Sequence, residues 1–204
     1  MAYFRCIGGS GGGGGSTMTP QILDFEQDTA GGTKTSYTTK TFSLNAGDTL
    51  IIAVMHRSTI TIPTGFSQVA ENYYSTAQIM TVIAYTATAA ESKSVTITQA
   101  SSVRMSVYSW QMKNVSLSAA TSLYNSGATK SSLTLDNTYR PTLMVFQNVY
   151  SGSWSGSGIA QQLIMASQNF TGYALNFGTG YSSTFSFTAG GNEWSTLGVY
   201  LTDQ

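Results

Sequence analysis

The sequence predicts an all-β protein, organised as a single jelly-roll-like β-sandwich of about ten strands. Short apolar segments are separated by turn sequences rich in Gly, Asn, Asp and Pro, as in chains built of many short strands. No stretch keeps a helical apolar spacing over 11 residues without β-branched clusters or glycine. The second half of the chain also repeats the pattern of the first, which indicates a body built from two similar halves.

This repeat consists of four pairs of matching segments, at offsets between 90 and 93 residues. The pairs are Phe42 and Leu44 with Leu133 and Leu135, Thr49-Leu50 with Thr142-Leu143, residues 94–98 with 184–188, and Val107-Tyr108 with Val199-Tyr200. Such a small drift is what loops of different length would produce between related halves. We therefore expect an internal pseudo-repeat of about residues 40–110 and 132–202. A single sandwich with intertwined halves buries more apolar surface than two small ones, so the last strand is expected beside an early one.

The N-terminal residues predict an arm that precedes the sandwich. Residues 1–7 form a short apolar tip that contains Tyr3, Phe4 and Ile7. Residues 8–20 form a linker rich in Gly and Ser, whose nine-residue Gly/Ser run spans about 15 to 18 Å as a flexible coil. The apolar tip favours an anchor that docks on a partner, and the alternative is a disordered tail or an engineered linker. The sandwich then occupies residues 21–204.

Three segments of the sandwich carry the clearest strand signals. Residues 50–55 form a continuous apolar run, which predicts a strand covered on both faces. Val103, Met105 and Val107 alternate with more polar residues, which predicts a half-buried strand, and residues 197–201 repeat that pattern. Turns are expected between strands at residues 45–48, 63–65, 136–137 and 190–192.

Composition narrows the classes of partner. Charged residues make up only 9% of the 204 residues, while 28 Ser and 29 Thr supply most of the polarity. Nine basic residues balance nine acidic ones without clustering, so no nucleic acid is expected as a partner. No apolar run approaches the ~20 residues that span a bilayer, and the N-terminus lacks a signal-peptide pattern. With Cys6 as the only cysteine, no intrachain disulfide is possible, and synthesis in a reducing cytoplasm without a signal peptide is expected.

The residues needed for catalysis are scarce. His56 is the only histidine, and strand alternation gives no reason for it to meet both Ser58 and Asp48 as a catalytic triad requires. The sequence of residues 152–156 matches a nucleophile elbow in letters only, because no helix can follow it. One His and one Cys cannot supply a zinc site. We therefore expect no catalytic residues, no metal, no cofactor and no enzyme activity.

Acidic residues on the probable first strand give a weaker alternative. Asp24, Glu26 and Asp28 alternate and point to one side, so with carbonyl oxygens they could hold Ca²⁺. A solvated strand face is the favoured interpretation.

Aromatic residues are the better indication of ligand binding. Tyr73, Tyr74, Tyr150 and Trp154 lie among Ser and Gly where loops are expected, a combination typical of adaptable binding surfaces. We assign them as candidate ligand-binding residues. The alternative is that they pack at a rim or between subunits.

Several segments together resemble a sandwich domain that recurs in bacteriophages and prophages. They are the strand GDTLIIAVMHR at residues 47–57, the turn IPTGF at 62–66, the pair Ala84-Tyr85, the strand that bears Arg104, and the closing strand at 197–201. The N-terminal MAYFRC followed by polyglycine is similar to the start of virion proteins from phages of Firmicutes. The second half departs from the pattern, since no proline follows its first strand.

This resemblance implies a structural component of a phage virion, displayed by its N-terminal arm. Residues 1–16 would bind other virion proteins, and a homo-oligomer, with a trimer favoured, is expected. A place in the tail, baseplate or fibre would let the sandwich bind host-surface saccharide. The alternatives are a capsid decoration or head-fibre protein and, from a different class, a free carbohydrate-binding module.

Overall fold

The computed structural model describes residues 21–28, 32–75, 78–125, 132–135, 142–149, 152–155, 159–164, 170–177, 183–189 and 194–202. Within these residues every regular element is a β-strand, and all strand pairs are antiparallel. The all-β prediction is confirmed, and the antiparallel sheets are consistent with a β-sandwich. The N-terminal arm lies outside the described residues.

The described part of the chain contains seventeen strands, more than the expected ten or so. The first nine are β1 (Gln21–Gln27), β2 (Thr33–Thr38), β3 (Phe42–Leu44), β4 (Thr49–His56), β5 (Ile60–Thr61), β6 (Ser67–Ser75), β7 (Gln78–Thr86), β8 (Glu91–Lys93) and β9 (Thr96–Lys113). The other eight are β10 (Ser116–Asn125), β11 (Ser132–Leu135), β12 (Thr142–Val149), β13 (Gly152–Ser155), β14 (Ile159–Ile164), β15 (Phe170–Phe177), β16 (Ser183–Ala189) and β17 (Trp194–Thr202).

Two five-strand ladders have the same internal order. Sheet 1 runs β1-β9-β4-β7-β6 and sheet 2 runs β10-β17-β12-β15-β14. If the five strands of each are numbered along the chain, both ladders read first, fifth, second, fourth, third. Each ladder draws its strands from one half of the chain. The expectation that the last strand pairs beside an early one is therefore wrong, because β17 pairs with β10 and β12.

Smaller sheets accompany both ladders. In the first half, β2 and β5 pair with the N-terminal part of β9, while β3 pairs with β8. In the second half, β11 and β13 pair with β16. The long β9 therefore takes part in sheet 1 and in the ladders with β2 and β5, whereas in the second half β17 belongs to sheet 2 and β16 pairs with β11 and β13.

A first hydrophobic core covers one face of sheet 1. It joins alternate residues of β4, β7 and β9 to side chains of β3 and of the N-terminal part of β9. Its buried members are Phe42, Leu44, Leu50, Ile52, Val54, Phe66, Ile83, Ala87, Val95, Ile97, Met105 and Val107. Sheet 1 and the smaller sheets of the first half therefore pack face to face.

A second hydrophobic core covers the opposite face of sheet 1. Its buried members are Ile51, Ala53, Met55, Ala70, Met80, Val82, Tyr108, Trp110, Met112, Val115 and Val199. Val199 lies on β17, and the partly buried Leu117 on β10 packs against the same cluster. Strand β6 also contacts β10 and β17. Strands β10 and β17 of sheet 2 therefore lie against this second face of sheet 1, next to β6.

These two cores explain why β4 is apolar without interruption. All eight of its residues are buried, with Leu50, Ile52 and Val54 in the first core and the intervening residues in the second. The prediction of a strand covered on both faces is confirmed. The prediction of a half-buried β9 holds only near Arg104, because residues 107–112 are buried on both faces, including Tyr108 at 0% exposure.

Two of the expected turns lie within the described residues, and both are confirmed. The Asp48 N–H donates to the Asn45 carbonyl at 3.0 Å, and the Phe66 N–H donates to the Pro63 carbonyl at 3.0 Å. Gly47 and Gly65 have φ angles of 88° and 87°, in the region that favours glycine. The turns expected at residues 136–137 and 190–192 lie outside the described residues.

Candidate functional site

His56 lies at the end of β4 in a chain of hydrogen bonds. Its Nδ1 is 2.8 Å from the Ser58 carbonyl oxygen, and its Nε2 is 2.8 Å from Thr81 Oγ1. Because a carbonyl oxygen only accepts, Nδ1 carries the hydrogen of this contact. Thr81 Oγ1 is in turn 2.9 Å from Glu71 Oε2. Imidazole, hydroxyl and carboxylate are thus connected across β4, β7 and β6.

The hydrogen-bonded network of His56, Thr81 and Glu71 has the residue types of a hydrolytic site, but its hydroxyl is not accessible as a nucleophile. Thr81 is 1% exposed and His56 is 4% exposed, so no substrate can reach the hydroxyl. Burial also lowers the pKa of His56 below its ordinary value of 6.5, against smaller opposing effects of Ser58 and Glu71. We interpret these hydrogen bonds as a structural network that connects β4, β7 and β6.

Asp48 takes part in a different network, away from His56. Its Oδ2 accepts hydrogen bonds from the Asn45 N–H at 2.9 Å and from Gln111 Nε2 at 2.8 Å. Ser58 meets His56 through its backbone carbonyl. Neither residue therefore completes a catalytic triad with the histidine.

The acidic residues of β1, and Asp28 directly after it, bind residues of the same protein. Asp24 pairs with Lys40, Asp28 pairs with Lys34, and Glu26 accepts a hydrogen bond from a tyrosine hydroxyl. The prediction of a solvated face is wrong for Asp28, which is 2% exposed. These contacts tie β1 to the segment of residues 34–40. Among the described residues, no group of three or more His, Cys, Asp or Glu is placed to hold a metal ion.

The candidate aromatic residues have only partly the positions that the sequence predicts. The loop placement is wrong for Tyr73 and Tyr74, which lie in β6, and for Trp154, which lies in β13 opposite Phe187. Tyrosine and tryptophan are favoured in strands, and this preference outweighed the neighbouring Ser and Gly. Tyr150 lies outside the described residues, as do Tyr3, Phe4 and Ile7 of the proposed anchor. The binding and anchoring roles of these residues stay predictions.

A surface groove on the first half has a more suggestive lining. It has a volume of about 540 Å³ and is lined by Thr33, Arg57, Ser102, Val103 and Arg104. Arg57 follows the last residue of β4, and Arg104 precedes the residue of β9 that pairs with His56. Thr33 of β2 pairs with Arg104 from the other side. The groove thus forms where β2, β9 and the end of β4 meet.

A bulge in β9 shapes this groove. In the β2–β9 ladder, Ser36 pairs with Thr98, whereas Lys34, two residues earlier, pairs with Val103. Residues 99–102 are therefore mostly surplus and bend out of the ladder. Gln99 closes the bulge, since its Nε2 donates to the carbonyl oxygens of Lys34 and Val103, each at 2.6 Å.

In the sequence, Arg57 and Arg104 are noted only as part of the resemblance to phage sandwich domains. The two residues are 47 positions apart, and no local motif joins them. Only the register between β4 and β9 brings the two arginines together, and the sequence does not give that register.

The comparisons with known proteins add no relative. No protein-family model, no curated protein and no solved structure matches this chain. None of the described residues belongs to a helix long and apolar enough to cross a membrane. The function of the chain is therefore inferred from its own residues.

Proposed function

We propose that this chain is a non-enzymatic structural component of a phage virion that displays a β-sandwich on the particle. Residues 1–16 serve as the anchor, and residues 21–204 form a single jelly-roll-like body that projects outward. The observation that carries the proposal is the sequence pattern of an apolar tip, a polyglycine linker and a charge-poor, hydroxyl-rich all-β body. The resemblance of residues 47–66 to phage sandwich domains supports the same function.

The burial of the reactive residues supports a binding role over an enzymatic one. His56 and Thr81 are enclosed between strands, while the arginine-lined groove opens to the surface. A displayed body needs a rigid interior and an accessible surface site. The two hydrophobic cores on either side of sheet 1 supply the rigid interior.

The place that fits best is the tail, baseplate or fibre, where the body binds saccharide on the host surface. Weak single sites suffice there, because many copies on one particle raise the avidity by orders of magnitude. A homotrimer is the proposed form. Light scattering of the purified chain would then give about three times the 21.7 kDa of one copy, and a monomeric mass would exclude the trimer.

Competition for host cells tests this place in the virion. Purified chain is added in excess to host cells before the phage, and the fraction of adsorbed particles is counted. A receptor-binding tail component reduces adsorption in proportion to its occupancy of the cells. Adsorption that stays unchanged at saturating protein would contradict this place and favour a capsid decoration or head-fibre protein.

A further inference from the structure

We propose that the groove at the β9 bulge binds the anionic group of an acidic saccharide polymer, either a uronate carboxylate or a polyol phosphate. The inference rests on the proposed function only for the saccharide, because the preference for an anion comes from the groove itself. The oxyanion would sit between Arg57 and Arg104, with hydroxyls from Thr33 and Ser102 beside it. The structure supports this proposal in three steps.

The first step is that the bulge holds the groove in shape before any ligand arrives. Gln99 is 5% exposed, and its amide bridges β2 to the far side of the bulge through two hydrogen bonds of 2.6 Å. The backbone of Gly32 also accepts a hydrogen bond from Met105 N–H at 3.1 Å. The backbone that carries Thr33 and Arg104 is thus fixed on both sides, which lowers the entropy cost of binding.

The second step concerns the donors that line the groove. A guanidinium group carries five N–H donors in a planar fork that matches a carboxylate or a phosphate. Arg57 and Arg104 each also interact with other groups of the protein. With five N–H groups, a guanidinium can contact a protein group and a ligand at the same time. The two hydroxyls add neutral donors and acceptors of the kind that sugar rings use.

The third step is the local charge. None of the five lining residues is acidic. Two arginines in one groove are a strong local concentration in a chain with nine basic and nine acidic residues. Nucleic acid is a poorer fit, because two cations do not make a basic stripe along a strand.

The experiment measures binding of short oligosaccharides to the full chain by calorimetry or NMR titration. Three probes of similar length are compared: oligogalacturonate, an oligomer of glycerol phosphate, and a neutral galactose oligomer. We expect an anionic probe to bind at least about tenfold more tightly than the neutral one, since charge-assisted hydrogen bonds exceed neutral ones. Added salt should weaken that binding. The two anionic probes distinguish a carboxylate ligand from a phosphate ligand.

Variants assign the binding to the groove. Arg57→Gln and Arg104→Gln each should weaken the preferred anionic probe by about tenfold or more, and Ser102→Ala by about two- to tenfold. Lys113→Gln is the matched control, because it removes one positive charge from the C-terminal end of β9, about 30 Å along the strand from Arg104. Thermal unfolding of each variant checks that it is folded. Ser102 is exposed, so its variant keeps the test usable if an arginine variant does not fold.

Two results would overturn the proposal. The first is that the anionic probes bind no more tightly than the neutral oligomer, or that no probe binds. The second is that Lys113→Gln weakens the binding of the anionic probe as much as Arg104→Gln does. All these measurements use the isolated chain in solution. Failure of the groove proposal therefore leaves particle association, which tests the proposed function, to be measured independently.

Discussion

His56 and Thr81 share a single hydroxyl hydrogen with Glu71. The Thr81 hydroxyl can donate to His56 Nε2 at 2.8 Å or to Glu71 Oε2 at 2.9 Å, but to one acceptor at a time. Burial lowers the pKa of His56, and the neutral ring then accepts at Nε2. Because burial disfavours the charged ring, protonation of His56 acts against the folded state.

This arrangement predicts that the protein loses stability in mild acid. The pKa of His56 is lowered in the folded state, so below its ordinary value of 6.5 the unfolded chain binds a proton that the folded chain does not. The free energy of unfolding should therefore fall as the pH drops below about 6.5. Urea unfolding at several pH values between 7.5 and 5 measures this decline.

The variant His56→Gln isolates the contribution of the histidine. Glutamine does not titrate, so the decline between pH 7 and pH 5 should be shallower in the variant than in the original chain. Other carboxyl groups titrate in both proteins, and their contribution cancels in the comparison. Equal declines in the two proteins would show that His56 plays no part.

At the residue scale, the sequence identified the scarcity of catalytic groups but not the groove. Arg57 and Arg104 come together only through the pairing of β4 with β9, a contact between residues far apart in the chain. The loop prediction for Tyr73 and Tyr74 rests on the Ser and Gly content around the candidate aromatic residues, and it is wrong for both. Their own preference for strands, and pairing of β6 with β7, decided the outcome.

At the scale of elements, β9 is the strand on which the first half depends. Its N-terminal part pairs with β2 and β5, its C-terminal part pairs with β1 and β4, and the bulge lies between the two parts. A continuous strand of 18 residues that serves two sheets has to bend, and the bulge provides the bend. Its sequence, Gln-Ala-Ser-Ser, carries no glycine or proline that would have marked it.

We predict that Gln99→Ala destabilises the protein by about 1 to 3 kcal/mol. The substitution leaves the carbonyl groups of Lys34 and Val103 without the donor that they share. Gln68→Ala on β6 is the control, since Gln68 is exposed and surface changes usually stay within about 0.5 kcal/mol. Chemical unfolding of both variants gives the comparison, and equal stabilities would show that Gln99 does not close the bulge.

The burial of β4 on both faces could be predicted because a continuous run of six apolar residues is itself the signal. The same reasoning failed for the C-terminal part of β9. Ser109 and Gln111 are 1% and 5% exposed although both are polar. Gln111 is satisfied by Asp48 and by the Ser43 carbonyl, partners that strand periodicity does not indicate.

At the scale of the whole molecule, the second core joins the two halves. Trp110 on β9 is fully buried there, stacked on Tyr108 with ring centroids 6.1 Å apart and in contact with Phe25 at 5.4 Å. Val199 contributes from β17 to the same cluster. The halves are thus held by apolar contact between sheets, with each five-strand ladder formed from one half.

We expect Trp110→Ala to reduce the free energy of unfolding by about 3 to 5 kcal/mol, as is usual for removal of a buried tryptophan. Leu23→Ala is the control, because Leu23 on β1 is 43% exposed. Urea unfolding monitored by circular dichroism measures both variants. Similar losses in the two would contradict the central place of Trp110 in the packing.

The sequence shows segments that match at offsets of 90 to 93 residues, but the topology that we inferred from these matches is wrong in one respect. Two similar halves could form either intertwined or separate ladders, and the repeat in the sequence does not distinguish these two topologies. Separate ladders are favoured because Tyr108, Trp110 and Met112 give sheet 1 a second apolar face, against which strands of sheet 2 can pack. The alternation of Val103, Met105 and Val107 with more polar residues instead predicts a strand that is buried on one face only.

The measurement that tests the proposed function most directly is co-sedimentation with phage particles. Purified full-length chain and a form that lacks residues 1–16 are each mixed with particles that lack the endogenous protein, and the pelleted fractions are compared. The proposal predicts that only the full-length chain pellets with the particles, while both forms remain folded in solution. If both forms stay in the supernatant, the protein is not anchored in the virion by its N-terminal arm, and a free saccharide-binding module becomes the better account.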